Sequence, residues 1–404
     1  LGTFKIVKNE FRPSDSIKNA LNTTYYLTPL PKKSIRVEVL AKTNSANYTG
    51  TELNVNWSNR NTFKGAELLT LTGFGGMEVQ VSGQNKGYNV FRFGGEASLV
   101  WPRFIGPFKM ESGEGFVPKT RALLGFEHQE RQRLYTLNTF RGSFGYLWKE
   151  NARKEHQLNV TEITYVTSGN VTQEYQDQID GVPAQPDGTP AIPGNQALQR
   201  VIDKQLIFGP TYSYTYTNTM QKRKRNTIYY KGSLDLSATI AGLAMGGDKN
   251  DPKEILGVPF SQFARMEHEF RHYLKLGKDS QLASRIIAGV GVPYGNSDQM
   301  PFIKQFFIGG TNSIRAFRAR SIGPGTFYEE TPQNSFLPDQ SGDLKLELNT
   351  EYRAKLFSIV HGAIFVDAGN IWLMNKDDQR PGAEFTGNFY EQLAVGTGAG
   401  LRLD

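Results

Sequence analysis

Polar and apolar side chains alternate one by one along most of this chain. In residues 343–355 the odd positions are charged or polar, including Asp343, Glu347 and Lys355, whereas the even positions include Leu344 and Leu348. Residues 211–217 and 227–239 show the same period of two. Because successive side chains of a β-strand point to opposite faces, each segment is predicted to be a strand with one polar and one apolar face.

Two kinds of β-protein produce this alternation, a sandwich with its apolar faces inside and a membrane barrel with its apolar face on lipid. Many of the segments run about 10 residues or more, the length that a tilted strand needs to cross a membrane. Strands of soluble proteins are shorter, typically about 5–6 residues. A closed barrel also leaves no sheet edge unpaired in lipid. The sequence therefore predicts an all-β fold, a transmembrane antiparallel β-barrel.

About fourteen strands are visible. They are predicted near residues 34–45, 48–60, 64–82, 89–102, 119–131, 134–148, 155–167, 206–217, 226–239, 262–276, 280–293, 343–356, 360–373 and 391–404. The long connections are residues 168–205, 240–261, 294–342 and 374–390, which in barrels of this kind face outward. The first is rich in Gly, Pro, Asp and Gln, so we expect a mobile surface loop there.

Composition excludes several other classes. No run reaches the roughly 18 apolar residues of a transmembrane helix, and the most apolar helix-like stretch, residues 238–245, is too short. The start at Leu1 lacks the regions of a signal peptide, so we expect a mature or trimmed chain. With no cysteine, disulfides and cysteine-ligated metals are excluded.

The net charge of +7 is compatible with nucleic acid or with an anionic membrane surface. Basic residues are spread along the chain and interleaved with acids, and the concentrated basic run is Gln221-Lys222-Arg223-Lys224-Arg225. This footprint is too small to indicate nucleic-acid binding, so no nucleic-acid partner is predicted.

Two motifs resemble catalytic or cofactor sites. His268-Glu269-Phe270-Arg271-His272 matches H-E-x-x-H, but the surrounding residues alternate as in a strand, where residues four apart lie about 13 Å from each other. One zinc ion cannot bridge them. Gly396-Thr397-Gly398-Ala399-Gly400 is followed by strand-like residues rather than the helix of a phosphate-binding loop. We therefore predict neither an enzyme nor a metal or other cofactor.

A more specific block is Phe307-Ile308-Gly309-Gly310-Thr311-Asn312-Ser313-Ile314-Arg315-Ala316-Phe317, followed by Phe365-Val366-Asp367-Ala368-Gly369. The first segment resembles the sixth extracellular loop of the BamA and TamA superfamily of outer-membrane barrels, whose G-G-x-x-x-(V/I)-R-G-(F/Y) hairpin folds back into the lumen. The second resembles the F-x-D-x-G strand motif of that family.

The resemblance implies a set of site residues. The loop motif is carried by Gly309, Gly310, Ile314, Arg315, Ala316 and Phe317. By the resemblance, Arg315 reaches the inner wall and pairs with Asp367, with Glu347 as a second acceptor. A guanidinium suits carboxylates in such a place, because its rigid fork can hold a long loop. One residue departs from the pattern, since Ala316 stands where the family usually has Gly.

Strand-like pieces near residues 4–11 and 23–27 end at Pro29-Leu30-Pro31-Lys32-Lys33. Within this stretch, Leu1-Gly2-Thr3-Phe4 together with Tyr26-Leu27-Thr28-Pro29 resembles the end of the last POTRA module, the periplasmic α/β domain that precedes these barrels. We therefore predict two domains, a periplasmic POTRA remnant over residues 1–33 and a barrel over residues 34–404. The family has sixteen strands, so the last strands are expected to be absent.

The function implied by the resemblance is insertion of other barrel proteins into the bacterial outer membrane. In the family mechanism, client strands pair at a weak seam between the first and last strands. The first strand, near residues 34–45, includes Ser34, Arg36, Val37, Val39, Ala41 and Thr43, and its end is polar. The implied partners are unfolded outer-membrane clients, a bilayer with lipopolysaccharide, and periplasmic or lipoprotein accessory subunits.

Other functions stay open. A two-partner-type secretion transporter of the same superfamily would carry both motifs, whereas a porin would not. Surface binding through residues 168–205 is compatible with either function. The sequence does not distinguish an essential assembly factor from a TamA-like paralogue.

Overall fold

The computed structural model describes residues 4–14, 16–43, 48–80, 89–107, 115–184, 191–194, 198–221, 223–328 and 340–403. A hairpin of β1 (Phe4–Pro13) and β2 (Leu21–Pro29) comes first and lies outside the main sheet. The later strands are β3 (Lys33–Thr43), β4 (Tyr48–Asn59), β5 (Leu68–Gln80), β6 (Val90–Trp101), β7 (Lys119–Arg131), β8 (Tyr135–Asn151), β9 (Lys154–Gly169), β10 (Gly181–Val182), β11 (Ile192–Pro193), β12 (Gln205–Thr217), β13 (Asn226–Ser237), β14 (Glu254–Ile255), β15 (Val258–Pro259), β16 (Phe263–Lys275), β17 (Ser280–Pro293), β18 (Leu344–Phe357), β19 (Val360–Trp372) and β20 (Ala394–Leu403).

Apart from the small pairs β10–β11 and β14–β15, the strands from β3 to β20 form one 14-stranded antiparallel sheet in chain order. Each predicted strand is present, with ends that differ by a few residues. The predicted all-β fold and the number of strands are therefore confirmed.

The two faces of the sheet differ in polarity, as strands β18 and β19 show. Glu347 and Asp367 are buried on the inner face, 1% and 0% exposed. Tyr352, Ile364 and Val366 lie on the outer face, 42%, 65% and 49% exposed. Large apolar side chains outside and carboxylates inside are the arrangement of a membrane barrel with a polar lumen.

The connections differ between the two ends of the sheet. One end, here called the short-turn end, has mostly brief turns such as residues 152–153, 276–279 and 358–359. The other, the long-loop end, carries the long connections predicted from the sequence. In bacterial outer-membrane barrels short turns face the periplasm and long loops face outward, so this orientation is expected here.

The connection between β9 and β12 forms a packed cap in its described part. It contains α1 (Gln173–Asp180), β10, β11 and α2 (Gln199–Ile202). Tyr175 and Ile179 lie four residues apart on α1, each 1% exposed, and pack with Tyr135 of β8. The expectation of a mobile loop over residues 168–205 is therefore wrong for these residues, because an apolar helix face is buried against the barrel.

A third helix, α3 (Thr239–Met245), lies in the connection between β13 and β16, over the stretch that looked most helix-like in the sequence. In the described part of the chain, no helix has the length and apolar character needed to cross a membrane.

The H-E-x-x-H sequence lies within β16, as predicted. His268 is exposed on the outer face, and a hydrogen bond of 2.8 Å joins its Nδ1 to the hydroxyl of Tyr230. Glu269 points to the other face, where Arg271 donates to it at 2.6 Å. The helix that would bring His268 and His272 together for zinc is not formed.

The sheet has two ends, β3 and β20. Strand β3 pairs with β4 along its length, and β20 pairs with β19. Within the described residues, β3 and β20 are bonded neither to each other nor to a further strand. Within those residues, each of the two strands is therefore paired along one edge.

The β1–β2 hairpin matches the two strand-like pieces expected near the front of the chain. Ile6, Val7 and Phe11 are more than half exposed on it. Its assignment to a POTRA module, and with it the division into two domains at residue 33, stays a prediction.

Candidate functional site

The connection between β17 and β18, in its described residues 294–328 and 340–343, folds back onto the inner wall of the barrel. Its two limbs meet where Phe306 and Gly342 exchange backbone hydrogen bonds of 2.8 and 2.9 Å. The buried apolar side chains of this contact are Phe306, Ile308, Ile314, Ile322 and Ile371. Because Ile371 belongs to β19, this cluster fixes the loop to the wall by apolar burial.

A tight turn within the loop positions the motif residues. Gly309 and Gly310 have φ angles of 93° and 94°, a region that favours glycine. A Cβ on Gly309 would lie 2.1 Å from the carbonyl oxygen of Arg318. The N–H of Gly310 donates to the carbonyl oxygen of Phe317 at 2.8 Å and closes the hairpin. Both glycines are therefore needed for the turn that presents Arg315.

The structure places Arg315 directly on Asp367. Nε donates to one carboxylate oxygen at 2.8 Å and Nη2 to the other at 2.9 Å, while the backbone N–H of Arg315 adds a third bond of 3.1 Å. The guanidinium carbon lies 3.5 Å from the centre of the Phe365 ring. Asp367 is fully buried, so this two-pronged contact neutralises a charge that would otherwise be costly to bury.

The second acceptor of Arg315 is Glu351 and not Glu347. Nη1 of Arg315 donates to Glu351, which also accepts from Nε of Arg353 at 2.6 Å. Glu347 instead accepts from the hydroxyl of Ser313 at 2.7 Å and from Arg285. The prediction that Glu347 serves Arg315 is therefore wrong.

The reason for the correction is geometric. Glu347 and Glu351 share the inner face of β18, about 13 Å apart along the strand. Because the loop places Ser313 at Glu347, Arg315 reaches the next inward carboxylate in that row.

Residues that the sequence reasoning did not single out complete the contact. The side-chain N–H₂ of Asn349 donates to Asp367 and to the carbonyl oxygen of Ser313, each at 2.9 Å. Arg285 donates to the Asn349 side chain at 2.9 Å and to the carbonyl oxygen of Asn312 at 2.7 Å. Their inward parity on β17 and β18 was the available signal, but parity alone does not identify the partner.

The last strand of the sheet, β20, leaves room for the loop because it has glycines at the contact positions. A Cβ on Gly396 would lie 2.7 Å from the Cβ of Ala316, and a Cβ on Gly398 would lie 2.5 Å from the ring of Phe365. The glycine-rich run therefore serves close packing, the alternative to a phosphate-binding loop. The loop consequently contacts β18, β19 and β20 together.

Asp343 lies just before β18, at the base of the loop. Burial raises the pKa of Asp343, while hydrogen bonds donated by the Gln305 side chain at 3.0 Å and by the backbone N–H of Met374 at 3.2 Å oppose that effect. Through these two hydrogen bonds, Asp343 holds the base of the loop against Met374 in the segment that follows β19.

A cavity of about 690 Å³ lies between the motif and the wall. Arg271, Arg285, Arg315, Glu351 and Arg353 line it, together with Phe365. Charged groups of both signs surround this space, so it is suited to water and polar chain segments. Among the described residues, no group of three or more His, Cys, Asp or Glu is placed to hold a metal ion.

The residues predicted for the first strand of the seam all lie on β3. Val37 and Val39 are exposed on the outer face, 59% and 75%. Their even-numbered neighbour Arg36 forms an ion pair with Glu38 at 2.5 Å. Ser34 accepts a hydrogen bond from Arg60, Ala41 lies opposite Thr51 and Thr43 lies opposite Thr49. Asn44 and Ser45, the predicted end of the strand, lie outside the described residues.

Comparison with protein families gives a match to the Omp85 superfamily domain over residues 43–404. The chain belongs to the Omp85 superfamily. The resemblance to BamA and TamA barrels that was inferred from the two motifs is thereby confirmed.

Individual relatives agree with this family. The outer membrane protein assembly factor BamA of Neisseria meningitidis serogroup B is 26% identical over 112 residues, which is 28% of this chain and 14% of that protein. A crystal structure of BamA from Haemophilus ducreyi lacking POTRA domains 1–3 matches all of this chain and 70% of its own, with a TM-score of 0.64 and 15% identity.

Two structures of CdiB have the same fold. CdiB from Acinetobacter baumannii matches all of this chain and 60% of its own at a TM-score of 0.52 and 11% identity. CdiB from Escherichia coli matches 98% of this chain and 60% of its own at 0.51 and 14%. Membership of the Omp85 superfamily, together with the 14-stranded sheet, makes this protein an integral outer-membrane barrel. The match with the Neisseria protein spans a small part of that relative.

Proposed function

We propose that this Omp85 barrel helps other β-barrel proteins to fold and insert into the outer membrane. The observation that carries the proposal is the outer edge of β3, which pairs with no strand in the described structure. Unpaired backbone N–H and C=O groups at a sheet edge are a template for a further strand. A client strand that pairs there would satisfy its own backbone as it enters lipid.

The side chains of β3 suit an edge that lies in the membrane. Ile35, Val37 and Val39 expose 69%, 59% and 75% of their surface on one face. On the other face, Lys42 forms an ion pair with Glu52 of β4. The edge therefore continues both the apolar outer surface and the polar lumen, and a client strand with the same alternation would match it.

The anchored loop supports this role mechanically. Arg315 binds Asp367 of β19 and Glu351 of β18, and Ala316 lies against Gly396 of β20. These contacts hold three adjacent strands in place from inside the lumen. We propose that the loop keeps this side of the barrel ordered while the edge of β3 engages a client.

The remaining parts of the proposal concern partners and location. Clients are unfolded outer-membrane proteins, and the surroundings are a bilayer with lipopolysaccharide. The β1–β2 hairpin joins β3 at the short-turn end, so we place it in the periplasm, where accessory subunits would bind. The proposed action is strand pairing and requires no enzymatic step.

Site-specific cross-linking tests the proposed edge. The chain has no cysteine, so Val39→Cys on β3 gives a single reactive thiol. We expect disulfide-linked adducts with client proteins that carry a cysteine in a terminal strand. Ile286→Cys is the matched control, because Ile286 is also exposed outward but lies on β17, which is paired on both edges. Equal adduct yields at the two positions would contradict pairing at the β3 edge.

Depletion of the protein in its native bacterium tests the cellular function. We expect the amounts of several other outer-membrane barrels to fall. Unchanged levels of all of them would exclude the insertase function.

A two-partner-type secretion transporter is the second candidate, favoured by the likeness to the two CdiB barrels. Depletion would then abolish export of one secreted protein and leave the barrels unaffected. The number of periplasmic modules encoded ahead of the barrel is a simpler discriminator, since several favour assembly and two favour secretion.

A further inference from the structure

Exposed basic side chains cover three neighbouring turns at the short-turn end of the barrel. We call this set the basic rim; its members are Arg153, Arg223, Lys224, Arg225, Lys275 and Lys278. It includes most of the basic run that stood out in the sequence, and the fold adds basic residues from two other turns.

Backbone hydrogen bonds join these turns to one another. The N–H of Thr217 donates to the carbonyl oxygen of Arg153 at 2.9 Å, and the N–H of Lys275 donates to that of Arg225 at 2.9 Å. Strands β8, β9, β12, β13, β16 and β17 are consecutive neighbours in the sheet. At about 4.8 Å between strands, the basic rim spans roughly 24 Å of the barrel circumference.

Nearby carboxylates do not neutralise the rim. Glu150 is already paired with Lys154 at 2.9 Å, and Glu155 is paired with Lys149 at 2.9 Å. Among the described residues, no carboxylate lies within 4 Å of the charged groups of Arg223, Lys224 or Lys278. The rim therefore carries a net positive charge.

Outward-facing rings place this rim at the membrane surface. The Trp148 ring stacks on His156 at 4.8 Å, and the rings of His156, Tyr214, Tyr230 and His268 follow one another at 5.0, 6.2 and 6.1 Å. Aromatic belts of membrane barrels lie at the level of the lipid headgroups. Because the turns begin only a few residues beyond Trp148, His156, Tyr214 and Tyr230, their basic side chains lie at or just outside the headgroups.

We propose that the basic rim binds phospholipids with anionic headgroups in the leaflet that borders the short turns. Lys and Arg near an anionic membrane surface are attracted over about one Debye length. The exposed apolar side chains of Met220 and Leu276, 78% and 47% exposed, lie on the same turns and suit the apolar part of that interface. Part of the positive charge of the chain thus serves to bind a lipid surface.

Lipid selectivity can be measured directly on the intact barrel. The protein is reconstituted in phosphatidylcholine vesicles with a trace of spin-labelled phosphatidylglycerol or spin-labelled phosphatidylcholine. Electron paramagnetic resonance then gives the motionally restricted fraction of each label, which is the lipid in contact with protein. Because the label enters both leaflets, the result does not depend on the orientation of the barrel.

The test variant combines Arg223→Gln, Lys224→Gln and Lys278→Gln. The control combines Lys249→Gln, Lys253→Gln and Lys376→Gln, which removes the same charge from exposed side chains at the long-loop end. A folded barrel migrates differently in gels with and without prior heating, and this difference is used to show that each variant has folded.

We expect the wild type and the control to prefer phosphatidylglycerol over phosphatidylcholine by roughly threefold or more at low salt, with a smaller preference at high salt. The rim variant is expected to lose most of this preference. Equal restriction of both lipids by the wild type, or an equal loss in the two variants, would overturn the proposal. An acidic soluble protein would then be the ligand to seek.

Discussion

The Cβ of Ala316 fills the space beside Gly396, where an added Cβ would lie only 2.7 Å away. Ala316 is the position at which the family motif usually has Gly. The additional methyl group is accommodated because the facing residue of β20 has no side chain. The departure from the family pattern at Ala316 is therefore accommodated by the space that Gly396 leaves on the facing strand.

We predict that Gly396→Val displaces the loop from the lumen wall. Overpacking against Ala316 should lower the free energy of unfolding by about 1–3 kcal/mol. Urea unfolding and protease cleavage within residues 294–328 measure the two effects. Gly400→Val is the control, since a Cβ there has no atom within 4 Å. The contact with Ala316 is the cause of the displacement if the double variant Gly396→Ala, Ala316→Gly regains the protease resistance that Gly396→Ala alone has lost.

Arg315→Ala is predicted to lower the free energy of unfolding by roughly 3 kcal/mol, because it leaves the buried carboxylate of Asp367 without its cation. The value is at the lower end for such pairs since the Arg315 side chain is 25% exposed. Arg315→Lys should lose part of this stability, because an ammonium group cannot form the two-pronged contact. A double-mutant cycle with Asp367→Asn measures the coupling, and additive effects would contradict a direct pair.

The packed cap after β9 should unfold locally when its core is truncated. Ile179→Ala removes a fully buried side chain and is expected to lower local stability by about 2–5 kcal/mol. Hydrogen exchange of α1 is the measurement. Val171→Ala, at a residue that is 36% exposed just before α1, should leave exchange within about 0.5 kcal/mol of the wild type. Rapid exchange of α1 in the wild type itself would show that the cap is not packed in solution.

A turn at the short-turn end should become weaker in acid. The pKa of Glu67 is lowered by hydrogen bonds from its own backbone N–H and from those of Gly65 and Phe63. When folding lowers the pKa of a carboxyl group, that group stabilises the fold at pH values above its pKa in the unfolded chain. The stabilisation is lost as the pH falls through the pKa of the group in the folded protein. At pH values below about 4.5, the urea concentration at the unfolding midpoint should therefore decrease more for the wild type than for Glu67→Gln. Identical pH profiles would contradict this role.

The strands could be predicted from the sequence because membrane strands are long and alternate strictly. Residues 343–355 show how strongly the lumen and lipid faces constrain side-chain type: odd positions are polar and even positions mostly apolar. The prediction of these strands depends only on the period of two within one strand. The position of Asp367 on the inner wall, in contrast, was implied by the family resemblance.

Contacts between distant segments could not be predicted in the same way. Glu347 and Glu351 have the same parity on β18, so the register of the loop against that strand decides which one receives Arg315. The cap after β9 was missed for a related reason. Tyr175 and Ile179 are two apolar residues in a polar segment, and their partner Tyr135 is about 40 residues earlier in the chain.

The glycines of β20 also influence how easily that strand can leave the sheet. At Gly396 and Gly398 the inner face of β20 is covered by side chains that belong to other elements, Ala316 and Phe365. Peeling β20, ten residues long, from β19 breaks backbone hydrogen bonds but extracts no inward side chain at these two positions. At these two positions β20 is held on the lumen side by contact with Ala316 and Phe365 and not by inserted side chains of its own.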